Sequence, residues 1–121
     1  MRPSVLVVDD DLGTREVMTT FLHLEGFDGV ATANGQEALT YLRGGGDAAV
    51  ILLDLAMPVM NGWEFRRAQL LDAAFARIPV VVVSSEAEAA QAALTPAAWF
   101  QKPMDVEQIL PVVRALVAAA A

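Results

Sequence analysis

Four polar interruptions close four apolar runs in this chain of 121 residues, and they carry most of its chemistry. Asp9, Asp10 and Asp11 follow the run 4–8, Asp54 follows 49–53, Ser84 follows 79–83, and Lys102 follows 98–101. Carboxylates brought together repel one another and invite a cation. With oxygen donors only, and few of them from protein, Mg²⁺ is favoured, since it keeps several waters and leaves positions for phosphate oxygens. A carboxylate can also attack phosphorus to give an aspartyl phosphate, while a metal and a lysine offset the charge of the transferring group. Asp54 stands alone at the end of its run and is the nucleophile candidate. Asp9 and Asp10 are adjacent and better suited to sharing a metal.

Those side chains can meet only if the apolar runs lie side by side. The first three runs are short, hold β-branched residues and lack polar alternation, as expected of strands buried on both faces of a parallel sheet, and 98–101 reads as a fourth short strand. A weaker strand is expected over 28–32. Helical patterns alternate with the strands over about 14–25, 35–43, 63–74, 86–94 and 105–118. Val17, Phe21 and Leu24 define the expected core face of the first helix, and Ala38, Leu39 and Leu42 that of the second. Gly26 and Gly44-Gly45-Gly46 stop these two helices. Five βα units predict an α/β fold with a doubly wound five-stranded parallel sheet, flavodoxin-like order 2-1-3-4-5, and helices on both faces. In such sheets ligands bind beyond the carboxyl ends of the strands, where all four polar interruptions fall.

Composition narrows the partners. The chain is 55% hydrophobic and 19% charged, which suits one compact domain over 1–121. It has no cysteine, which excludes disulfides and thiolate metal sites. The formal charge of −7 disfavours direct contact with nucleic acid. No apolar run approaches the roughly 20 residues that cross a bilayer, and the first residues lack the pattern of a signal peptide. A cytoplasmic location, without membrane attachment, is the expectation.

The segments Val5-Leu6-Val7-Val8-Asp9-Asp10-Asp11, Leu53-Asp54-Leu55-Ala56-Met57-Pro58-Val59-Met60-Asn61-Gly62, Pro79 to Ser84, and Lys102-Pro103 together resemble the receiver domains of bacterial two-component response regulators, chemotaxis regulators among them. The resemblance implies that Asp54 accepts a phosphoryl group from a histidine kinase or phosphotransfer protein. It further implies that Asp10 ligates Mg²⁺ directly, Asp9 through water, Asp54 itself, and Ala56 through its backbone carbonyl. Lys102 then contacts the phosphoryl oxygens, the Ser84 hydroxyl swings toward them, and the Trp99 aromatic follows. A cis peptide precedes Pro103 in such domains. The expected output is altered affinity for an unidentified downstream protein through the face of helix four, strand five and helix five. Catalysis is limited to the domain's own phosphorylation and dephosphorylation.

Three departures from that pattern fall on the output face. The stretch between Ser84 and Lys102 is short by roughly one helical turn, with Thr95-Pro96 at its exit. Trp99 stands where a smaller aromatic is usual. Pro111 falls inside the expected last helix, which it should kink or interrupt.

Other residues have plain structural readings. Asp11 suits a helix cap, Glu86 a helix-start acid or a residue that tunes phosphoryl lifetime with Ala56, and Trp99 a packing aromatic as well as a switch. Trp63, Phe65 and Phe75 read as core or helix-surface aromatics, and His23 as a lone surface histidine. A phosphatase with an aspartate nucleophile would need a second aspartate at Ala56. A flavin carrier would need a phosphate loop where the three aspartates stand. A binding module that works without phosphorylation is the alternative to the phosphorelay switch. The chain could be a complete receiver or the first part of a longer regulator.

Overall fold

A computed structural model describes residues 2–120, and the backbone alone at 89, 90 and 92. Met1 and Ala121, the ends of the expected 1–121 domain, lie outside the described residues. Strands and helices alternate strictly. In chain order they are β1 (Ser4–Val8), α1 (Leu12–Leu24), β2 (Asp28–Thr32), α2 (Gly35–Arg43), β3 (Val50–Leu53), α3 (Gly62–Leu70), β4 (Val80–Ser84), α4 (Ala87–Leu94), β5 (Ala98–Gln101) and α5 (Leu110–Ala120). The sheet order is β2-β1-β3-β4-β5 with every pair parallel, as the sequence pattern predicts.

Successive strand side chains point to opposite faces, so an all-apolar strand feeds two cores at once. In β1, Leu6 and Val8 pack with Leu39 of α2, Phe65 of α3 and Leu94 of α4. Val5 and Val7 pack on the other face with Met18 and Leu22 of α1 and Val113 of α5. Register aligns Val8 with Leu53, Leu53 with Val82, and Ser84 with Gln101, so the carboxyl ends of the strands form one rim. No helix among the described residues is long and apolar enough to cross a membrane.

Three expectations about the helices change. The core face of α1 is Met18 and Leu22, whereas Val17 is 56% and Leu24 78% exposed. An apolar stripe beside the core face has the same spacing as the core face itself. Helix α3 stops at Leu70, four residues before the expected Ala74. There the Asp72 side chain accepts from Ala74 N–H, a local turn bond that competes with the helix, and Phe75 folds back into the core. The segment expected as one helix from Asp105 divides into a 3₁₀ turn, Val106–Gln108, and α5. Of the expected kink or interruption at Pro111 the structure shows an interruption, and Pro111 sits in the first turn of α5, where its missing N–H has no helical acceptor to lose.

Helix α4 has eight residues and is held by its neighbours. Its N-cap, Glu86, makes no side-chain capping bond, and its C-cap, Thr95, is left-handed at φ 43°. The buried Arg66 of α3 donates from Nε to Leu94 O at 3.2 Å and from Nη2 to Thr95 O at 3.4 Å, satisfying carbonyls that the helix end leaves open. Its remaining bond, 2.8 Å to Gln69 Oε1, continues through Gln69 Nε2 to Phe75 O and Ile78 O. Burial holds the Arg66 guanidinium below its ordinary pKa.

Candidate functional site

The rim brings most of the sequence-predicted residues together. Asp9, Asp10 and Asp54 each offer a carboxylate oxygen within 4.8 Å of the others. Asp9 and Asp54 are buried at the ends of β1 and β3, and Asp10 is exposed. Lys102, leaving β5, reaches Asp9 Oδ2 at 2.8 Å and Asp54 Oδ2 at 3.3 Å. Its burial opposes the charge, but the hydrogen bond to Asp9 and the charges of Asp54 and Asp9 outweigh that, so its pKa lies above the ordinary lysine value. The peptide bond from Lys102 to Pro103 is cis, as the resemblance implies.

Backbone donors fix the acids. Leu55 N–H bonds Asp54 Oδ1 at 2.7 Å, and Asp11 N–H bonds Asp9 Oδ1 at 2.9 Å. Each of these two carboxylates thus has one oxygen on the backbone and the other facing Lys102. Arg15 Nη1 donates to Asp9 O at 2.8 Å and ties α1 to the end of β1. Asp11 itself caps α1, its carboxylate accepting from Thr14 Oγ1 and Thr14 N. The Thr14 hydroxyl, with that backbone N–H, lowers the Asp11 pKa.

The loop after Asp54 is built around close packing. Asn61 caps α3 in a reciprocal box with Glu64, so the Asn61-Gly62 pair starts a helix as well as ending a turn. A Cβ on Gly62 would lie 2.3 Å from Asp54 O, and glycine is what lets α3 begin against the backbone of Asp54. Ala56 lies exposed in this loop, two residues beyond Asp54. Ser84 is fully buried at the end of β4, and its Oγ accepts from Glu86 N–H at 3.2 Å. Trp99 lies on β5 beside Val82 and is 37% exposed, on the outer face of the strand.

Sequence patterns did not single out Arg15 or Gln101, and Gly62 entered only as the last residue of the segment after Asp54. Gly62 carries the one available signal, a glycine directly after a capping asparagine. Arg15 and Gln101 act through bonds to backbone groups and belong to no motif.

The chain matches the response regulator receiver domain family over residues 5–114. It belongs to that family. Among curated relatives, the receiver is 32% identical over 119 residues to the DNA-binding response regulator MtrA of Mycobacterium tuberculosis strain H37Rv, covering 95% of this chain and 50% of that protein. It is 35% identical over 120 residues to the response regulator Rre1 of Synechocystis, covering 95% of this chain and 52% of that one. The receiver thus spans about half the length of these relatives. Among solved structures it is similar to chemotaxis protein CheY4 of Vibrio cholerae, with a TM-score of 0.85 and 27% identity over 96% of this chain and 99% of that one. A response regulator receiver protein from Pseudomonas putida gives a TM-score of 0.84 and 30% identity over 95% of this chain and 98% of that one.

Proposed function

We propose that this receiver is a phosphorelay switch that takes a phosphoryl group onto Asp54. The observation that carries the reading is the shared Lys102 contact, which places a fixed ammonium against both the acceptor carboxylate and its acidic neighbour. In the transfer, an Asp54 carboxylate oxygen forms a bond to phosphorus as the bond from phosphorus to a donor histidine nitrogen breaks. Leu55 N–H holds the carboxylate in place while Lys102 takes up negative charge on the phosphoryl oxygens. Ser84 supplies a hydroxyl from the end of β4, and Trp99 is the aromatic that responds to its movement.

The three carboxylates fit a hard divalent cation, since they offer only oxygen, converge on one point and leave Asp10 open to water. Mg²⁺ would be held by Asp9, Asp10, Asp54 and the Ala56 carbonyl, and when bound it would supply Lewis-acid neutralisation of the phosphoryl oxygens. The donor is a histidine kinase or phosphotransfer protein. Beside Lys102 lies an open groove of about 640 Å³ whose apolar wall includes Val17, Met18, Met104 and Val106. Such a wall suits an amphipathic helix that carries the donor histidine. Output passes to a downstream protein through α4, β5 and α5, in the cytoplasm and without direct contact of this domain with nucleic acid. Whole-protein activities such as the DNA binding named for MtrA belong to chains twice this length.

Incubation with a small phosphodonor and Mg²⁺ should add one phosphoryl group to the wild type, read by mass spectrometry of the intact protein. Asp54→Asn should remain unlabelled. Equal labelling of that variant would move the acceptor elsewhere, and no labelling of a wild type that binds Mg²⁺ would favour the phosphorylation-independent binding module.

A further inference from the structure

We infer that Gln101 is a latch that holds the loop between β4 and α4 in its resting position and so sets how readily phosphorylation moves Ser84. The inference rests on the aspartyl-phosphate switch proposed above and assigns to it a residue outside the acidic pocket.

The first N–H groups of any helix lack intrahelical partners, and a cap normally supplies one. Glu86 supplies none to α4. Instead Gln101 Oε1, from the neighbouring strand, accepts from Glu88 N–H at 3.1 Å, while Gln101 Nε2 donates to Ser85 O. One amide therefore bridges the loop that follows Ser84 and the first turn of α4. Register makes this possible, because Gln101 is the β5 partner of Ser84, and Lys102 N–H bonds Ser84 O at 3.0 Å. Trp99, two residues earlier, shares the outer face of the strand with Gln101.

The resting Ser84 hydroxyl accepts from Glu86 N–H, inside the same loop. A movement that turns the Ser84 hydroxyl toward a phosphoryl group on Asp54 gives up its bond from Glu86 N–H and displaces the following loop, 85–86, while Ser84 O stays on Lys102 N–H. Gln101 stays with β5, anchored next to Lys102. Its bonds to Ser85 O and Glu88 N–H are thus made in the resting arrangement and weakened in the switched one. An interaction shifts a two-state equilibrium only by its difference between the states, and here that difference is close to the full strength of the bridge. For exposed neutral hydrogen bonds this corresponds to about a two- to tenfold change in the population ratio.

The test uses the full chain and beryllofluoride, a phosphoryl mimic, titrated at saturating Mg²⁺ and followed by tryptophan fluorescence. Gln101→Met, which keeps length but loses both bonds, should bind the mimic two- to tenfold more tightly than wild type with unchanged Mg²⁺ affinity. Equal or weaker mimic binding by a folded Gln101→Met overturns the latch while leaving the switch standing. In the wild type, hydrogen exchange at the Glu88 amide should accelerate when the mimic binds, and an amide that stays equally protected also overturns the latch. A wild type that binds Mg²⁺ but not the mimic removes the switch itself, and the latch with it.

Discussion

Lys102 donates to Asp9 at 2.8 Å, closer than its 3.3 Å contact with Asp54. The ammonium therefore occupies the electrostatic role that a bound cation would take over, and it competes for the same carboxylate. Lys102→Met should raise Mg²⁺ affinity by about tenfold, the effect of removing one nearby positive charge from a partly solvated site. The same substitution should cut the rate of Asp54 labelling by a small phosphodonor by at least about a hundredfold, because a donor aimed at developing charge is lost. Magnesium titration and labelling kinetics on one variant thus move in opposite directions. A parallel loss of both would show Lys102 to be a structural strut.

The bonds of Arg66 to the end of α4 give a stability prediction. Arg66 is buried, faces carbonyls rather than a carboxylate, and also orients Gln69. Arg66→Met removes the charge and leaves Leu94 O, Thr95 O and Gln69 short of partners. Denaturant unfolding should show a loss of about 1–3 kcal/mol, with the unpaired polar groups rather than lost volume as the cause. Arg66→Lys should recover only part, since one ammonium cannot span the three acceptors that the guanidinium reaches.

How far the sequence revealed these relationships follows from the kind of signal each residue carries. Asp9, Asp54 and Lys102 were legible because each ends a strand-length apolar run, and parallel topology forces such ends onto one rim. The core face of α1 was not, since Val17 and Leu24 are as apolar as Met18 and Leu22 but line or flank open surface. Nor was the early end of α3, where Asp72 makes a turn bond that only the Phe75 packing explains. Pro111 showed that the last helix could not run unbroken from Asp105, yet not that it would sit in the first turn of α5. Arg66 and Gln101 carry no such signal, because their partners are backbone carbonyls and amides, which leave no mark in the sequence.

Val59 has φ 69° and is 81% exposed, at the centre of a three-residue turn in which Met60 N–H bonds Pro58 O at 2.8 Å. Positive φ is costly for a β-branched residue, and this tight turn is itself uncommon. No buried contact offsets the strain. Val59→Gly should stabilise the fold by about 1 kcal/mol, the steric relief exceeding the added freedom of the unfolded chain. Equilibrium denaturation checks this, and a destabilised variant would show that the valine side chain holds the Met57 to Asn61 loop.

Tyr41 offers a pH-dependent test away from the site. Its hydroxyl donates to Asp47 O at 2.7 Å and its ring packs against Gly46, where a Cβ would lie 2.4 Å from Cζ. Burial raises the phenol pKa above 10.0, with the Asp47 charge adding to the effect. Because the folded value lies above the unfolded one, the neutral donor is favoured by folding. Its contribution is fully present below about pH 10 and is lost as pH rises through the folded pKa. Tyr41→Phe should therefore cost about 0.5–1 kcal/mol at neutral pH, the lower part of the range for a single neutral hydrogen bond at a half-exposed position. Denaturant midpoints of the two proteins should then converge as the pH is raised past 10. A gap that stays constant through that range would assign the difference to ring packing alone.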